Sequence, residues 1–207
     1  MSGRHVDQEL VQRLPRRLRV AQVVGELLSP APIVVVLALV VAWDSSPTPG
    51  MAILLGAIAA GFASVLPYAI MLRGVRRGRL SDRNLSLRQE RVRFGVAAIT
   101  SMLIGLAVLA GFDAPAELVA LLASIAVGVA CGLVITRWWK ISAHAAIAAA
   151  AATVLMLVFG PALLAAWPLV ALIAWSRVQV GDHTPAQVLA GIGLGIVVNA
   201  TIFSLLR

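Results

Sequence analysis

Residues 176–191 read SRVQVGDHTPAQVLAG and separate two strongly apolar segments of the chain. This stretch contains Arg177 and His183, and ionisable side chains close to a membrane are costly and usually functional. A second polar stretch, residues 137–144 (RWWKISAH), follows another apolar segment and contains His144. The candidate functional residues of the chain therefore lie in these two stretches.

The composition is that of an integral membrane protein. Of the 207 residues, 60% are hydrophobic and 13% are charged, which excludes a soluble globular protein. The single cysteine, Cys131, excludes an intramolecular disulfide and a cysteine-rich zinc site. The net charge of +8 comes from residues between the apolar runs, a pattern that indicates membrane topology and anionic headgroups. We therefore expect a membrane as partner and no nucleic acid.

The apolar runs predict the fold class, because a membrane-spanning helix needs about 20 apolar residues. The runs lie at about 31–43, 51–72, 94–112, 117–136, 143–159, 161–176 and 188–206. Gly160 and Pro161 alone separate two of them, which form either a tight hairpin of tilted helices or one broken element. We predict an all-α membrane bundle of six to seven transmembrane helices, with residues 28–207 as one domain. Close helix packing is expected at Gly191, Gly193 and Gly195.

Residues 1–27 form a basic head with a different pattern. Apolar residues recur there at helical spacing, between arginines: Val6, Leu10, Val11, Leu14 and Leu18. This spacing predicts an N-terminal amphipathic helix. The helix either lies in the membrane interface or packs on the bundle as a tail helix, and the pattern leaves both alternatives open.

The positive residues predict the orientation in the membrane. With seven spans, every Lys and Arg except Arg207 falls on one face, together with both polar stretches. The positive-inside rule makes this face cytoplasmic. Arginine greatly outnumbers lysine and alanine is abundant, which is typical of a GC-rich bacterial genome. We therefore expect the inner (plasma) membrane of a bacterium, with the candidate site on its cytoplasmic face.

Three segments, in order along the chain, resemble the signatures of the type 2 phosphatidic acid phosphatase (PAP2) superfamily. Ser176, Arg177 and His183 match its third signature, Ser-Arg-x5-His-x3-Asp. The segment 141–144 (ISAH) retains the serine and the histidine of the second signature, Pro-Ser-Gly-His. The loop 79–91 resembles a divergent form of the first signature, Lys-x6-Arg-Pro, which is not present as written.

The resemblance implies a phosphohistidine mechanism without a metal ion or cofactor. His183 would attack phosphorus, His144 would protonate the leaving alkoxide, and Arg177 would clamp the phosphate oxygens, which suits a planar guanidinium. Helices that begin just after Ser142 and Thr184 would aim free backbone N–H groups at the anion. The phosphate-binding set is completed by Ser142, Lys140, Ser176, Arg88 and Arg91.

The chain departs from the superfamily at Gln187, where the third signature has aspartate. Residues i and i+4 share a helix face, so Gln187 is placed to accept a hydrogen bond from the ring of His183. Asp182 is expected to point elsewhere. Asp82 or Glu90, from the arginine-rich loop, are the candidates for a substitute carboxylate.

The predicted function is that of a membrane lipid phosphatase. Its substrate would be a phosphomonoester or diphosphate of a lipid: phosphatidate, phosphatidylglycerol phosphate, a prenyl diphosphate or a prenyl-linked phosphate. The alternative is a catalytically degenerate relative that binds an anionic lipid or acts as an assembly subunit. A magnesium-dependent transferase is disfavoured, because Asp82 is the only aspartate in the large loop. The oligomeric state is left open.

Overall fold

Helices make up the fold in the computed structural model, which describes residues 15–78, 80 and 87–207, except for the side chain of Arg88. The predicted all-α fold class is confirmed across these residues. In chain order, the elements are α1 (Arg16–Leu27), α2 (Pro30–Ser45), α3 (Pro49–Ala60), a π-helical turn (Gly61–Val65), α4 (Leu66–Arg76), α5 (Arg88–Gly111), α6 (Ala116–Thr136), α7 (Ala143–Phe159), a 3-10 helix (Pro161–Ala166), α8 (Trp167–Gln179), α9 (Pro185–Val198), a second π-helical turn (Asn199–Phe203) and α10 (Ser204–Leu206).

Five of the described helical segments are long and apolar enough to cross a membrane. They are Pro49–Arg76, Gln89–Gly111, Ala116–Thr136, Pro161–Gln179 and Pro185–Leu206. A sixth span results if α1 and α2, which meet at a bend of 43°, are counted together. The remaining predicted segment, 143–159, is α7, an apolar helix of 17 residues. The difference from the prediction is thus one of length, because α2 and α7 fall short of the ~20 residues of a straight span.

The break at Gly160 produces a hairpin. Gly160 has a φ of +86°, a backbone conformation that residues other than glycine rarely adopt. Pro161 starts the 3-10 helix that follows. Helices α7 and α8 then pack against each other. The first of the two predicted alternatives, a tight hairpin, is therefore the one found.

Helix α7 lies at the centre of the C-terminal half and packs on α2, α8 and α9. Its buried face consists mainly of alanine, so the backbones of neighbouring helices approach closely. A Cβ atom at Gly191 of α9 would overlap the carbonyl oxygen of Ser142, and one at Gly195 would overlap that of Ala146. The predicted close packing is confirmed at these two positions. It is wrong at Gly193, which faces open space.

A buried polar network joins the C-terminal end of α9 to α6. The side chain of Asn199 donates to the carbonyl oxygen of Gly195 at 2.9 Å, and its Oδ1 accepts from Ser124 of α6 at 2.9 Å. Both polar side chains are almost completely buried. Because an unpaired polar group is costly in an apolar interior, this network holds the C-terminal end of α9 in register with α6.

The described parts of the basic segments lie at one end of the bundle, which we call the basic end. Gly25 of α1 lies beside Arg177 of α8, and Lys140 contacts the backbone of Asp182. Arg207 instead contacts the carbonyl oxygen of Leu157, near the other end of α7. This arrangement agrees with the predicted partition of charge, while the cytoplasmic assignment stays a prediction.

The described part of the basic head is α1, which packs along α8. This contact favours the tail-helix alternative. Three apolar side chains of α1 nevertheless remain exposed, namely Val20, Val23 and Leu27. The remainder of the predicted amphipathic helix lies outside the described residues, including Val6, Leu10, Val11 and Leu14.

Replacement of Gly195 by alanine should destabilise the bundle. The new methyl group meets backbone atoms of α7, which cannot rotate away, and such overpacking costs about 1–3 kcal/mol. Gly193→Ala is the matched control, because it also lies in α9 and faces open space. Thermal unfolding in detergent should show a lower midpoint for Gly195→Ala alone. Equal midpoints for the two variants would contradict the close packing of α7 and α9.

Candidate active site

The two polar stretches meet where α7 and α9 begin. Ser142 caps α7 by accepting a hydrogen bond from the N–H of Ala145 at 3.4 Å. Thr184 caps α9 by accepting one from the N–H of Gln187 at 3.3 Å. The N–H of Ser142 donates to the carbonyl oxygen of Gln187 at 3.1 Å, which ties the two helix starts together. Both helices therefore begin where the sequence predicts, side by side at the basic end.

Arg177 lies in the last turn of α8 and is almost fully buried. Its Nη1 donates to Oδ2 of Asp182 at 3.2 Å, and its Nε donates to Oγ of Ser176 at 3.2 Å. The loop then folds back on the helix, so that the N–H of His183 donates to the carbonyl oxygen of Arg177 at 3.3 Å. Gly181, with a φ of +76°, makes this reversal possible.

His183 lies in the short loop between α8 and α9, outside the membrane-spanning helices. Its pKa is lowered from 6.5 to about 4, mainly by burial and next by the nearby positive charge of Lys140, whereas Asp182 and Gln187 oppose the shift. The ring is therefore neutral at pH 7, which is the form that acts as a nucleophile. Within the described part of the chain, its buried Nδ1 has no hydrogen-bond partner.

His144 lies in the first turn of α7 and joins the same cluster. Its ring interacts electrostatically with Arg177 and His183 and also interacts with the backbone of Gly25. The structure thus brings together the three residues to which the resemblance assigns chemical steps or charge stabilisation. They come from α7, from α8 and from the loop before α9.

The position of Asp182 corrects an expectation from the sequence. Instead of pointing elsewhere, its carboxylate forms an ion pair with Arg177 at 3.2 Å and raises the pKa of His183. The reason is the turn at Gly181, which directs the next side chain back towards α8. Asp182 therefore supplies a carboxylate inside the cluster itself.

The two serines of the predicted phosphate-binding set are completely buried. The hydroxyl of Ser142 caps α7, whereas Ser176 donates to the carbonyl oxygen of Ile173 at 2.8 Å and accepts from Arg177. Both serines thus support the helix and the guanidinium, and direct contact with phosphate stays a prediction. Lys140 lies near His183, with its Nζ donating to the carbonyl oxygen of Asp182 at 3.1 Å.

Gln187 has two partners. Its Oε1 accepts from the N–H of Thr184 at 3.1 Å, which completes a capping box at the start of α9. The same side chain also interacts with His183 and opposes the lowering of its pKa. Its predicted role in orienting the ring remains a prediction, and the structure adds that the residue also stabilises the helix start.

Only part of the arginine-rich loop lies within the described residues. Residues 79 and 81–86, including Asp82, lie outside the described residues, as does the side chain of Arg88. Arg91 lies in the first turn of α5, and Gly95, one turn further on, packs on Leu133 near the end of α6. The start of α5 is therefore at the basic end, while contact of Arg88 and Arg91 with phosphate stays a prediction. Glu90 is buried beside them.

One part of the cluster was not predicted from the sequence. Gly25 and Glu26 of α1 reach the site, with Gly25 against the guanidinium of Arg177 and Glu26 interacting electrostatically with it. The two residues are separated from Arg177 by most of the chain and belong to no recognisable motif. In the described residues, the cluster contains no group of three or more His, Cys, Asp or Glu side chains that could hold a metal ion.

The long apolar helices are those of a polytopic membrane protein. Residues 136–207 match the family model of the PAP2 superfamily, which confirms the predicted resemblance over this segment. The match covers α7 to α10 and contains His144, Arg177 and His183. No curated protein and no solved structure matches the chain. Because the superfamily is one of phosphatases, the match supports phosphoester hydrolysis as the class of reaction.

The protonation of His183 can be measured directly, because the chain contains only three histidines. In NMR titrations of ring-labelled protein in detergent, assigned with His183→Gln, the ring should remain neutral down to about pH 5. An unperturbed imidazole is half protonated near pH 6.5. In Asp182→Asn the midpoint should fall further, because the carboxylate raises the pKa. A midpoint near 6.5 in the native protein would contradict the buried, cation-flanked environment of the ring.

Proposed function

We propose that the chain is a membrane lipid phosphatase that works through a phosphohistidine intermediate. The observation that carries the proposal is the convergence of His144, Arg177 and a neutral His183 at the basic end of an apolar bundle. This set combines a nucleophile, a proton donor and a charge clamp, the parts that phosphoryl transfer requires.

The proposed reaction has two steps. In the first, a ring nitrogen of neutral His183 attacks phosphorus, the ester P–O bond breaks, and His144, protonated in the substrate complex, donates its proton to the leaving alkoxide. In the second, His144 takes a proton from a water molecule as the water attacks phosphorus. The P–N bond then breaks, which releases inorganic phosphate and restores neutral His183. Arg177 stabilises the charge on the equatorial oxygens in both steps, and no metal ion is required.

The position of the site supports a lipid phosphate as the substrate. The cluster lies at an end of the bundle, and the exposed apolar side chains of α1 lie next to basic residues: Arg16, Arg17 and Arg19. Such a surface suits a phosphate headgroup attached to an apolar chain. We place the site on the cytoplasmic face of a bacterial inner membrane, on the partition of positive charge.

Replacement of His183 by alanine should abolish phosphate release, because no other residue is proposed to form the covalent bond. The assay uses purified protein in mixed micelles with phosphatidate, phosphatidylglycerol phosphate and a prenyl diphosphate as separate substrates. Native activity should persist in a chelator and should be inhibited by vanadate, a mimic of the transition state. Full activity of His183→Ala would refute the mechanism, whereas loss of native activity in chelator and recovery with magnesium would indicate metal-dependent chemistry.

Asp182 should contribute to the rate by stabilising the positive charge that develops on His183. Asp182→Asn should lower kcat/KM by roughly ten-fold, the effect of about 1.4 kcal/mol of lost transition-state stabilisation. Gln187→Asp added to this variant should recover part of the loss, because it returns a carboxylate to a residue that contacts His183. A higher rate in Asp182→Asn would show instead that Asp182 competes with the substrate for Arg177.

A catalytically degenerate, lipid-binding relative is the second candidate, and the replacement of the signature aspartate by Gln187 is the observation that favours it. In that case no lipid of the panel would be hydrolysed. Vesicles that contain phosphatidate would nevertheless bind the native protein more tightly than Arg177→Gln.

A further inference from the structure

The last turn of α1 packs directly on the candidate active site. Helix α1 lies along α8, and its residues Ala21 and Gly25 are buried in this contact. They lie four residues apart, so they share the face that is turned towards α8. Both residues are small, which allows the two helices to approach closely at the level of Arg177.

Gly25 leaves room for the guanidinium of Arg177. A Cβ atom at this position would overlap Nη2 and Cζ of the guanidinium, so any other residue would displace the group. On another side, Nη1 is held by Asp182 at 3.2 Å. The guanidinium is therefore confined between the α1 backbone and the carboxylate, and its position depends on both.

The backbone of Gly25 also interacts with the ring of His144. Gly25 belongs to the last turn of α1, which ends at Leu27. The last four carbonyl groups of a helix lack partners within that helix and are available to other donors. A carbonyl group of this kind can interact with the His144 ring and so orient the imidazole.

We propose that Gly25 is a positioning residue of the phosphate site, which orients His144 through its backbone and keeps the Arg177 guanidinium in place because it has no side chain. The proposal rests on the proposed function and adds α1 to the functional unit. The predicted boundary between the basic head (residues 1–27) and the membrane domain (residues 28–207) would then divide the site. The PAP2 match at residues 136–207 would cover the reactive groups but not the element that holds two of them.

Gly25→Ala tests the proposal, with Gly193→Ala as the matched control. Both substitutions add one methyl group to a helix, but Gly193 faces open space. Because the guanidinium is the end of a flexible side chain, Gly25→Ala should fold normally and displace only that group. Its kcat/KM should fall at least ten-fold and its inhibition by vanadate should weaken in parallel, whereas Gly193→Ala should stay within two-fold of the native protein.

A double-mutant cycle with Arg177→Lys separates positioning from general damage to the helix contact. Lysine has no planar fork that Gly25 must accommodate, so Gly25→Ala should cost less than two-fold in the Arg177→Lys background. Coupled sites depart from additivity in this way, whereas independent ones do not. If both substitutions act independently, the ten-fold loss recurs in the double variant and the proposal is overturned.

The NMR signal of the His144 ring gives a readout that needs no turnover. In Gly25→Ala the ring resonances of His144, assigned with His144→Gln, should shift, while Gly193→Ala leaves them unchanged. The same cycle with Arg177→Lys can be read from this signal. If no lipid phosphate is hydrolysed by the native protein and the shift is still found, the proposed function fails while the positioning role stands. Unchanged His144 resonances and native-like kinetics in Gly25→Ala would overturn the positioning role alone.

Discussion

The close contact between α7 and α9 is the constraint on which the candidate site depends. Gly191 and Gly195 let the α9 backbone lie against the carbonyl oxygens of Ser142 and Ala146. The hydrogen bond from the Ser142 N–H to the Gln187 carbonyl oxygen then aligns the two helix starts. Because His144 follows one of these starts and His183 precedes the other, their separation is set by backbone packing. A site built in this way does not rely on long, flexible side chains to bring its reactive groups together.

The second constraint is the burial of positive charge. Arg177 is almost fully buried, and an isolated buried cation is too costly to persist without a partner. Asp182 provides that partner, and Glu26 adds a second negative charge from α1. The carboxylates balance the guanidinium while no anionic ligand is bound. His183 is kept neutral by its burial and by the charge of Lys140, which is held on the backbone of Asp182.

The sequence predicted the fold class and the helix starts at Ser142 and Thr184. It also singled out His144, Arg177 and His183, which the structure brings close together. It could do so because apolar run length and short motifs are local properties of the chain. The direction of Asp182 was missed, because it depends on the positive φ of Gly181, which sequence spacing does not reveal. The contact of Gly25 with the site was missed for another reason. It joins residues separated by most of the chain, and only the packing of α1 on α8 brings them together.

The ion pair between Arg177 and Asp182 has a consequence for the proposed mechanism. A phosphate that uses the whole guanidinium fork must take over the Nη1 that Asp182 now holds, while Gly25 covers the Nη2 side. Release from Arg177 would leave the carboxylate close to His183, whose pKa it raises. The positive charge that forms on His183 during the attack would then meet the carboxylate that the phosphate has displaced. Substrate binding and stabilisation of the nucleophile would thus be coupled through one side chain. The coupling needs no aspartate at position 187, since the carboxylate would come from the residue before the nucleophile.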